Sequence, residues 1–238
     1  MKIYPAGDMA LSVDFGNVIS EEINDQVMHL KHALQEEKIP GIRELLPSYR
    51  ALLVRYDPMQ LSFAQLSELI QRLQKQEGSE KGRKEKVIRL IPCCYGGAYG
   101  EDLKGMEAVT GLSEEEMIRI HSGTDYKIYM LGFLPGFVYL GGMDERIAAP
   151  RLDTPRVKIP AGSVGIGGKQ TGVYPIASPG GWRLIATTPV KFYDPAASQP
   201  ILCSAGEYIR FVPVTAKEYE QISQEIRTGS WKPEILRA

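Results

Sequence analysis

A small α+β domain over residues 1–80, followed by a mainly-β barrel domain over residues 87–238, is the architecture this 238-residue sequence predicts. Three observations carry that reading. The first 76 residues set out short amphipathic segments in the order strand, helix, strand, strand, helix, which suits helices laid on one face of a small sheet. A charged stretch without apolar residues, Gln76 to Lys86, then breaks the pattern and reads as an exposed connection between domains. From Met130 to Pro189, Gly and Pro recur every few residues among β-branched and aromatic side chains. That is the mark of short strands joined by tight turns rather than of a flexible linker.

In the first domain, Ala10-Leu11-Ser12-Val13-Asp14-Phe15 alternates apolar and polar residues as a half-buried strand does. Ser20 is placed to cap a helix through about Glu37, because Ile23, Val27, Leu30 and Leu34 follow at spacings of three and four that share one face. Ile42 to Leu46 and Ala51 to Tyr56 read as two strands, with Pro47-Ser48-Tyr49-Arg50 as the turn between them. Ser62-x-x-Gln65 is a capping box that opens a helix carrying Leu66, Leu69, Ile70 and Leu73.

The second domain begins with a strand from Val87 to Pro92 and a glycine-rich turn, Tyr95 to Gly100. Asp102 is read as the start of a short helix to Val109, ended by Gly111, and Ser113-x-x-Glu116 opens another that runs to about His121. Tyr126 to Phe133 re-enters the sheet. Beyond the Gly/Pro-punctuated stretch, Gly206 to Val214 reads as a closing strand and Ala216 to Arg227 as an amphipathic helix with Tyr219, Ile222 and Ile226 inward.

Composition limits the function. Lys plus Arg number 28 against 29 Asp plus Glu, so there is no surplus positive charge to neutralise phosphates, and nucleic acid is not the expected partner. The N-terminus reaches Pro5 and Asp8 before any apolar run of signal-peptide length, and no run approaches the roughly 20 apolar residues of a membrane span. A cytoplasmic protein without a membrane partner is the expectation. Cys93, Cys94 and Cys203 lack metal-ligand spacing and suit a reducing compartment, and no metal site is expected. Neighbours on a strand, Cys93 and Cys94 should point to opposite faces, one into the core and one outward.

Several familiar sites fail on their spacing. In Gly162-Ser163-Val164-Gly165-Ile166-Gly167-Gly168-Lys169-Gln170, a phosphate-binding loop would need glycine where Ser163 stands and Ser or Thr where Gln170 stands. A dinucleotide fingerprint begun at Gly165 would need its third glycine at Gln170. Ala161-Gly162-Ser163-Val164-Gly165 approximates a nucleophile elbow, but His29, His32 and His121 all precede it, whereas that arrangement needs its histidine later. His29 and His32 share a helix face without a third ligand.

The better candidates are cations and aromatics. Arg151 and Arg156 each follow a proline, and a guanidinium fork matches a carboxylate or phosphate with two parallel hydrogen bonds. Lys158 would share a strand face with Arg156, and a surface salt-bridge ladder is the competing use of all three. Gln170 and Tyr174 can add neutral hydrogen bonds to a small polar substrate, with Phe133, Phe137, Tyr139 and Trp182 as apolar walls; the aromatics serve equally as core, Phe133 and Trp182 above all. His121, between a capped helix and a strand, is a proton shuttle if it borders a groove and a helix-end residue if it does not.

Five linked motifs make the chain recognisable: Gly132-Phe133-x-Pro135-Gly136-Phe137-x-Tyr139-Leu140-Gly141-Gly142, Pro150-Arg151-x3-Pro155-Arg156, Ile159-Pro160-Ala161-Gly162-Ser163-Val164, Gln170-Thr171-Gly172-Val173-Tyr174-Pro175 and Ser178-Pro179-Gly180-Gly181-Trp182. With these the sequence resembles, over nearly its whole length, the bacterial 5-oxoprolinase B subunit family, also known as KipI-type histidine-kinase inhibitors and as carboxyltransferase domain C and D. The resemblance implies a cyclophilin-like barrel for the second domain. It also implies one component of a heteromeric complex, in which the larger C subunit, the A subunit and this chain together hydrolyse 5-oxoproline to L-glutamate. That reaction runs at the expense of ATP, with Mg, none of it held tightly by this chain. A lactam is a poor electrophile until its oxygen is phosphorylated. The implied site therefore needs positive groups, Arg151, Arg156 and Lys158, and oriented backbone donors such as those of the Gly162-Ser163 turn. An alternative role in the same family is inhibition of a sporulation histidine kinase by binding its dimerisation helices.

Overall fold

The computed structural model describes residues 1–76 and 86–237, so that nearly all of the expected connection, residues 77–85, lies outside the described residues. The chain divides into two compact units, Met1–Lys84 and Glu85–Ala238.

The first unit runs β1 (Lys2–Pro5), β2 (Ala10–Asp14), α1 (Glu21–Glu36), β3 (Ile42–Pro47), β4 (Ala51–Tyr56) and α2 (Phe63–Gln76). Its antiparallel strands pair in the order β1-β2-β4-β3. Leu11, Val13, Leu52 and Val54 from the central strands form one core with Val27, Leu30 and Leu34 of α1 and Leu66 and Ile70 of α2. Both helix starts follow the sequence. Ser20 Oγ accepts from the Ile23 amide at 3.2 Å, and Ser62 and Gln65 exchange the reciprocal bonds of a capping box. Strand β1 was not expected. Its four residues carry too little pattern to be seen without the neighbouring strand that pairs with them.

The second unit contains β5 (Val87–Tyr95), α3 (Glu107–Thr110), α4 (Glu114–Ser122), β6 (Tyr126–Leu131), β7 (Val138–Gly141), β8 (Arg156–Ile159), β9 (Ser163–Gly167), β10 (Gln170–Val173), β11 (Ser178–Gly180), β12 (Arg183–Thr187), β13 (Tyr208–Pro213), α5 (Ala216–Thr228) and β14 (Ile235–Arg237). The main sheet runs β10-β9-β12-β5-β13-β6-β7, with β14 paired to β5, while β8 and β11 form a two-stranded sheet of their own. The ends of the main path meet: a Cβ built on Gly172 of β10 would lie 3.1 Å from the Val138 carbonyl of β7. The sheet is thus a nearly closed barrel, as the sequence implied, filled by Ile91, Tyr126, Ile128, Val164, Ile166, Phe192 and Phe211.

Three expectations change. The helix begun at Asp102 is a 3₁₀ turn, Lys104–Met106, followed by the single turn of α3, because the Asp102 carboxylate is engaged elsewhere. Cys94 is absent from the barrel core that holds Cys93 but is not left to solvent: Cys93, Cys94 and Cys203 are all buried. Strand β6 stops at Leu131 because Phe133 has φ of 65°, which no strand residue adopts.

Candidate functional site

Alternation along β9 and β10 builds a surface on the outside of the barrel. Val164 and Ile166 point into the core, and Thr171 reaches inward to His121, so Gly165, Gly167, Gln170 and Gly172 must face the other way. The glycines leave a bare floor, and the Trp182 indole lies on it. A Cβ at Gly167 would stand 2.4 Å from the indole and one at Gly172 3.2 Å from it, so a side chain at either position would displace the ring. Phe137, Ile159, Tyr174 and Leu184 complete a buried cluster with Trp182, and Leu134 and Tyr139 pack on it. The rings meet edge to face: Phe137 and Trp182 at 5.7 Å and 74°, Tyr174 and Trp182 at 6.2 Å and 76°, Phe137 and Tyr174 at 5.8 Å and 82°.

Phe133 enters this face from a strained turn. The Leu134 amide donates to the Gly132 carbonyl at 2.8 Å, closing a three-residue γ-turn with Phe133 at its corner in the rarer, positive-φ sense. The ring is 73% exposed yet stands edge-on to Phe137 at 6.0 Å. Of its two expected places, apolar wall or core, the core is excluded, because the ring is held out in solvent. Such strain persists only where the surroundings enforce it, here the Phe137 amide bonded to the Leu134 carbonyl and the Gly132 amide bonded to the Phe137 carbonyl.

The two candidate arginines separate in their use. Arg156 Nε lies 3.0 Å from Glu101 Oε1, its Nη2 donates to Asp102 Oδ1 at 2.8 Å, and its Nη1 reaches the Trp182 carbonyl at 3.4 Å. The hydrogen bond with Asp102 raises the guanidinium's already high pKa. Asp102 has its other oxygen on the Leu184 amide at 2.6 Å, so one carboxylate ties together the 97–103 segment, β12 and the start of β8. Arg151 lies 6.0 Å over the Trp182 ring. Its charge is felt by Tyr139 and Tyr174: burial raises both pKa values, and the guanidinium draws Tyr139 part of the way back, as the Trp182 backbone and then Arg151 do for Tyr174.

Gln170 stands opposite Gly167 in the β9–β10 ladder, on the indole side, so Arg151, Arg156, Tyr139, Tyr174, Phe137, Phe133, Trp182 and Gln170 share one face. Lys158, two residues after Arg156 on β8, is exposed. The remaining expected residues are placed otherwise. Gly162, at φ of 85° and with its Cβ position 2.4 Å from the Thr188 carbonyl, lines a separate cavity of about 220 Å³ with Pro175, Val190, Tyr219 and Ile226. The Ser163 side chain is buried, 2% of the residue being exposed. His121 is not at a groove: it is 1% exposed, stacked 4.5 Å from Phe211, with Nδ1 at 2.7 Å from the Tyr95 hydroxyl and Nε2 at 2.8 Å from Thr171 Oγ1. Thr171 spends its own proton on the Gly165 carbonyl, so it accepts from Nε2–H, and Nδ1 accepts from Tyr95. Burial pushes the imidazole down to about 3 and keeps it neutral. It is a core residue rather than a proton shuttle.

The residues that sequence reasoning missed are Glu101 and Asp102. The only signal was two adjacent acids after a glycine-rich turn, and the sequence does not say which cation they meet. Chemically the face offers a guanidinium, phenols and an apolar wall. Within the second unit its one imidazole points away, into the core. The glycine-rich segment is a β-hairpin rather than a strand-to-helix loop, so its backbone donors pair with a strand.

Comparison with known proteins agrees with this architecture. The family described as carboxyltransferase domain, subdomain C and D, matches residues 1–203. A curated relative from Bacillus subtilis (strain 168), named as the B subunit of 5-oxoprolinase, is 42% identical over 237 residues, 94% of this chain and 97% of its own. The crystal structure of conserved uncharacterized protein PH0987 from Pyrococcus horikoshii is 47% identical, covers 92% of this chain and 100% of its own, and superposes with a TM-score of 0.54. The fold recurs within the Kluyveromyces lactis urea amidolyase at a TM-score of 0.79 and 19% identity, over 99% of this chain and 16% of that one.

Proposed function

The chain belongs to the carboxyltransferase subdomain C and D family and, within it, to the 5-oxoprolinase B subunit proteins, and from that membership we propose that it is the B subunit of an ATP-dependent 5-oxoprolinase. With the larger C subunit, and with the A subunit, it opens 5-oxoproline to L-glutamate. The observation that carries this reading is likeness over almost the full length of both chains to proteins of that name in three bacteria, at 37% to 42% identity. The names of those relatives do not favour the kinase-inhibitor alternative.

The geometry supports a contributing rather than a self-sufficient role. The Arg151–Trp182 face supplies positive charge and an apolar wall, as binding and orienting a small anionic lactam requires, and the groups that activate the lactam oxygen and water come from the other subunits. We place ATP, with Mg, on those subunits, because the hairpin from Gly162 to Gln170 is built for pairing rather than for phosphate. A cytoplasmic setting goes with this proposal; among the described residues no helix is long and apolar enough to cross a membrane.

Co-expression with one large and one small candidate partner tests the reading. A stable complex that releases glutamate from 5-oxoproline only when ATP is present is expected. Failure of the chain to co-purify with the large partner, or ATP hydrolysis that ignores 5-oxoproline, would refute it.

A further inference from the structure

The geometry points to Arg151, and not Arg156, as the carboxylate anchor of this face, and to small cyclic carboxylates as ligands that the chain binds there without its partners. The inference deepens the reading above and rests on that reading only for placing the substrate at this face. In the sequence the two arginines look equivalent, each preceded by proline. The structure gives them different work.

Arg156 is already satisfied. Glu101 and Asp102 occupy both sides of its fork at 3.0 and 2.8 Å, and only 24% of its side chain is exposed. A ligand carboxylate would have to displace Glu101 or else Asp102, which is held in place by the Leu184 amide. Arg151 is exposed, and among the described residues no carboxylate lies within ion-pairing distance of it. Its nearest acid in sequence, Asp153, makes no ion pair with it. Glu101 and Asp102 are spent on Arg156, which leaves the charge at Arg151 uncancelled.

Arg151 is also held in place, which a surface arginine ordinarily is not. Arg183 Nε donates to the carbonyl of Pro150 at 2.9 Å, and the Leu152 amide donates to the Gly181 carbonyl at 2.7 Å, so the backbone is fixed on both sides of Arg151. Beneath it the guanidinium has the Trp182 ring. The entropy lost on gripping a ligand is therefore reduced before the ligand arrives. The open fork accepts two carboxylate oxygens in parallel, and the exposed Phe133 ring, with Tyr139, gives the hydrocarbon part of a small ring something to lie against.

The test uses the isolated full chain, with its arginine side-chain Nε–H signals and the indole N–H signal of Trp182, which lies under Arg151 and is retained in the Arg151 variants, followed by NMR. The probes are 5-oxoproline, cyclopentanecarboxylate and 2-pyrrolidinone, the last being the same lactam without the acid. Each is titrated to about 20 mM, well above the ~1 mM dissociation constant that a shallow face would give. Both acids should produce a saturable shift at one arginine, and 2-pyrrolidinone should produce none. Affinity should fall about ten-fold or more in Arg151→Gln and fall less in Arg151→Lys. The assignment is overturned if neither acid gives a saturable shift, if 2-pyrrolidinone binds equally well, or if the response survives in Arg151→Gln. Loss of glutamate release from the reconstituted complex, with carboxylate binding by this chain intact, would remove the enzyme reading and leave the anchor standing.

Discussion

Taking the protein from pH 8 to pH 5 is expected to weaken the second unit by about 2 kcal/mol through His121 alone. In the folded chain the imidazole is neutral, held between Tyr95 and Thr171 and pushed down to about 3 by burial. In the unfolded chain it titrates at an ordinary value near 6.5. Below about 6.5, then, the unfolded state takes up a proton that the native state refuses. The stabilisation is complete above that pH and is lost as pH falls, at ~1.4 kcal/mol per unit, toward a limit of about 5 kcal/mol near the folded value. The ring is fully enclosed, so solvent does not screen the effect away. The control is His121→Asn, which cannot titrate in this range. It loses the stacking on Phe211 and the bond to Thr171, and should already be about 2–4 kcal/mol less stable at pH 8. Urea unfolding followed by tryptophan fluorescence reads the right unit, since Trp182 and Trp231 both belong to it while His29 and His32 lie in the other. Other titrations are common to both proteins, so the quantity of interest is the difference between their pH dependences. Parallel curves for native chain and variant between pH 8 and pH 5 would refute the neutral, enclosed imidazole.

Two more perturbations probe the framework of the aromatic face. Asp102→Asn leaves one oxygen to serve both the Leu184 amide and Arg156, and should lower the urea-derived stability of the second unit by about 1–3 kcal/mol; a change within error would mean the carboxylate does not hold β12 to the 97–103 segment. Gly167→Ala puts a methyl where the indole lies, so the Trp182 emission and near-ultraviolet circular dichroism should change, with a loss of about 1–3 kcal/mol. Unaltered spectra would show that the ring does not rest on that glycine.

The local signals in the chain were sufficient for most of the elements. Ser20 and Ser62 announce their helices because a cap is a contact between residues three apart, and the periodicity of Val27, Leu30 and Leu34 needs no partner to be seen. Where strands were expected and found shorter, or missed as β1 and β14 were, pairing rather than propensity makes the strand. The Gly/Pro-punctuated stretch announced a turn-rich β-structure, because glycine and proline mark turns through their own backbone limits, which need no distant partner to be read.

What the sequence by itself determined was therefore the set of residues: the glycines, the rings and the two proline-led arginines, each written in short-range pattern. Which arginine is free, and that His121 lies in the core and not at a groove, only the tertiary structure decided. Both depend on partners far along the chain, Asp102 for Arg156 and Thr171 for His121, and nothing in the residues next to an ionisable group states whether a distant carboxylate or hydroxyl has already claimed it. Charge pairing and burial are properties of the packed chain, and they fix how each side chain can be used.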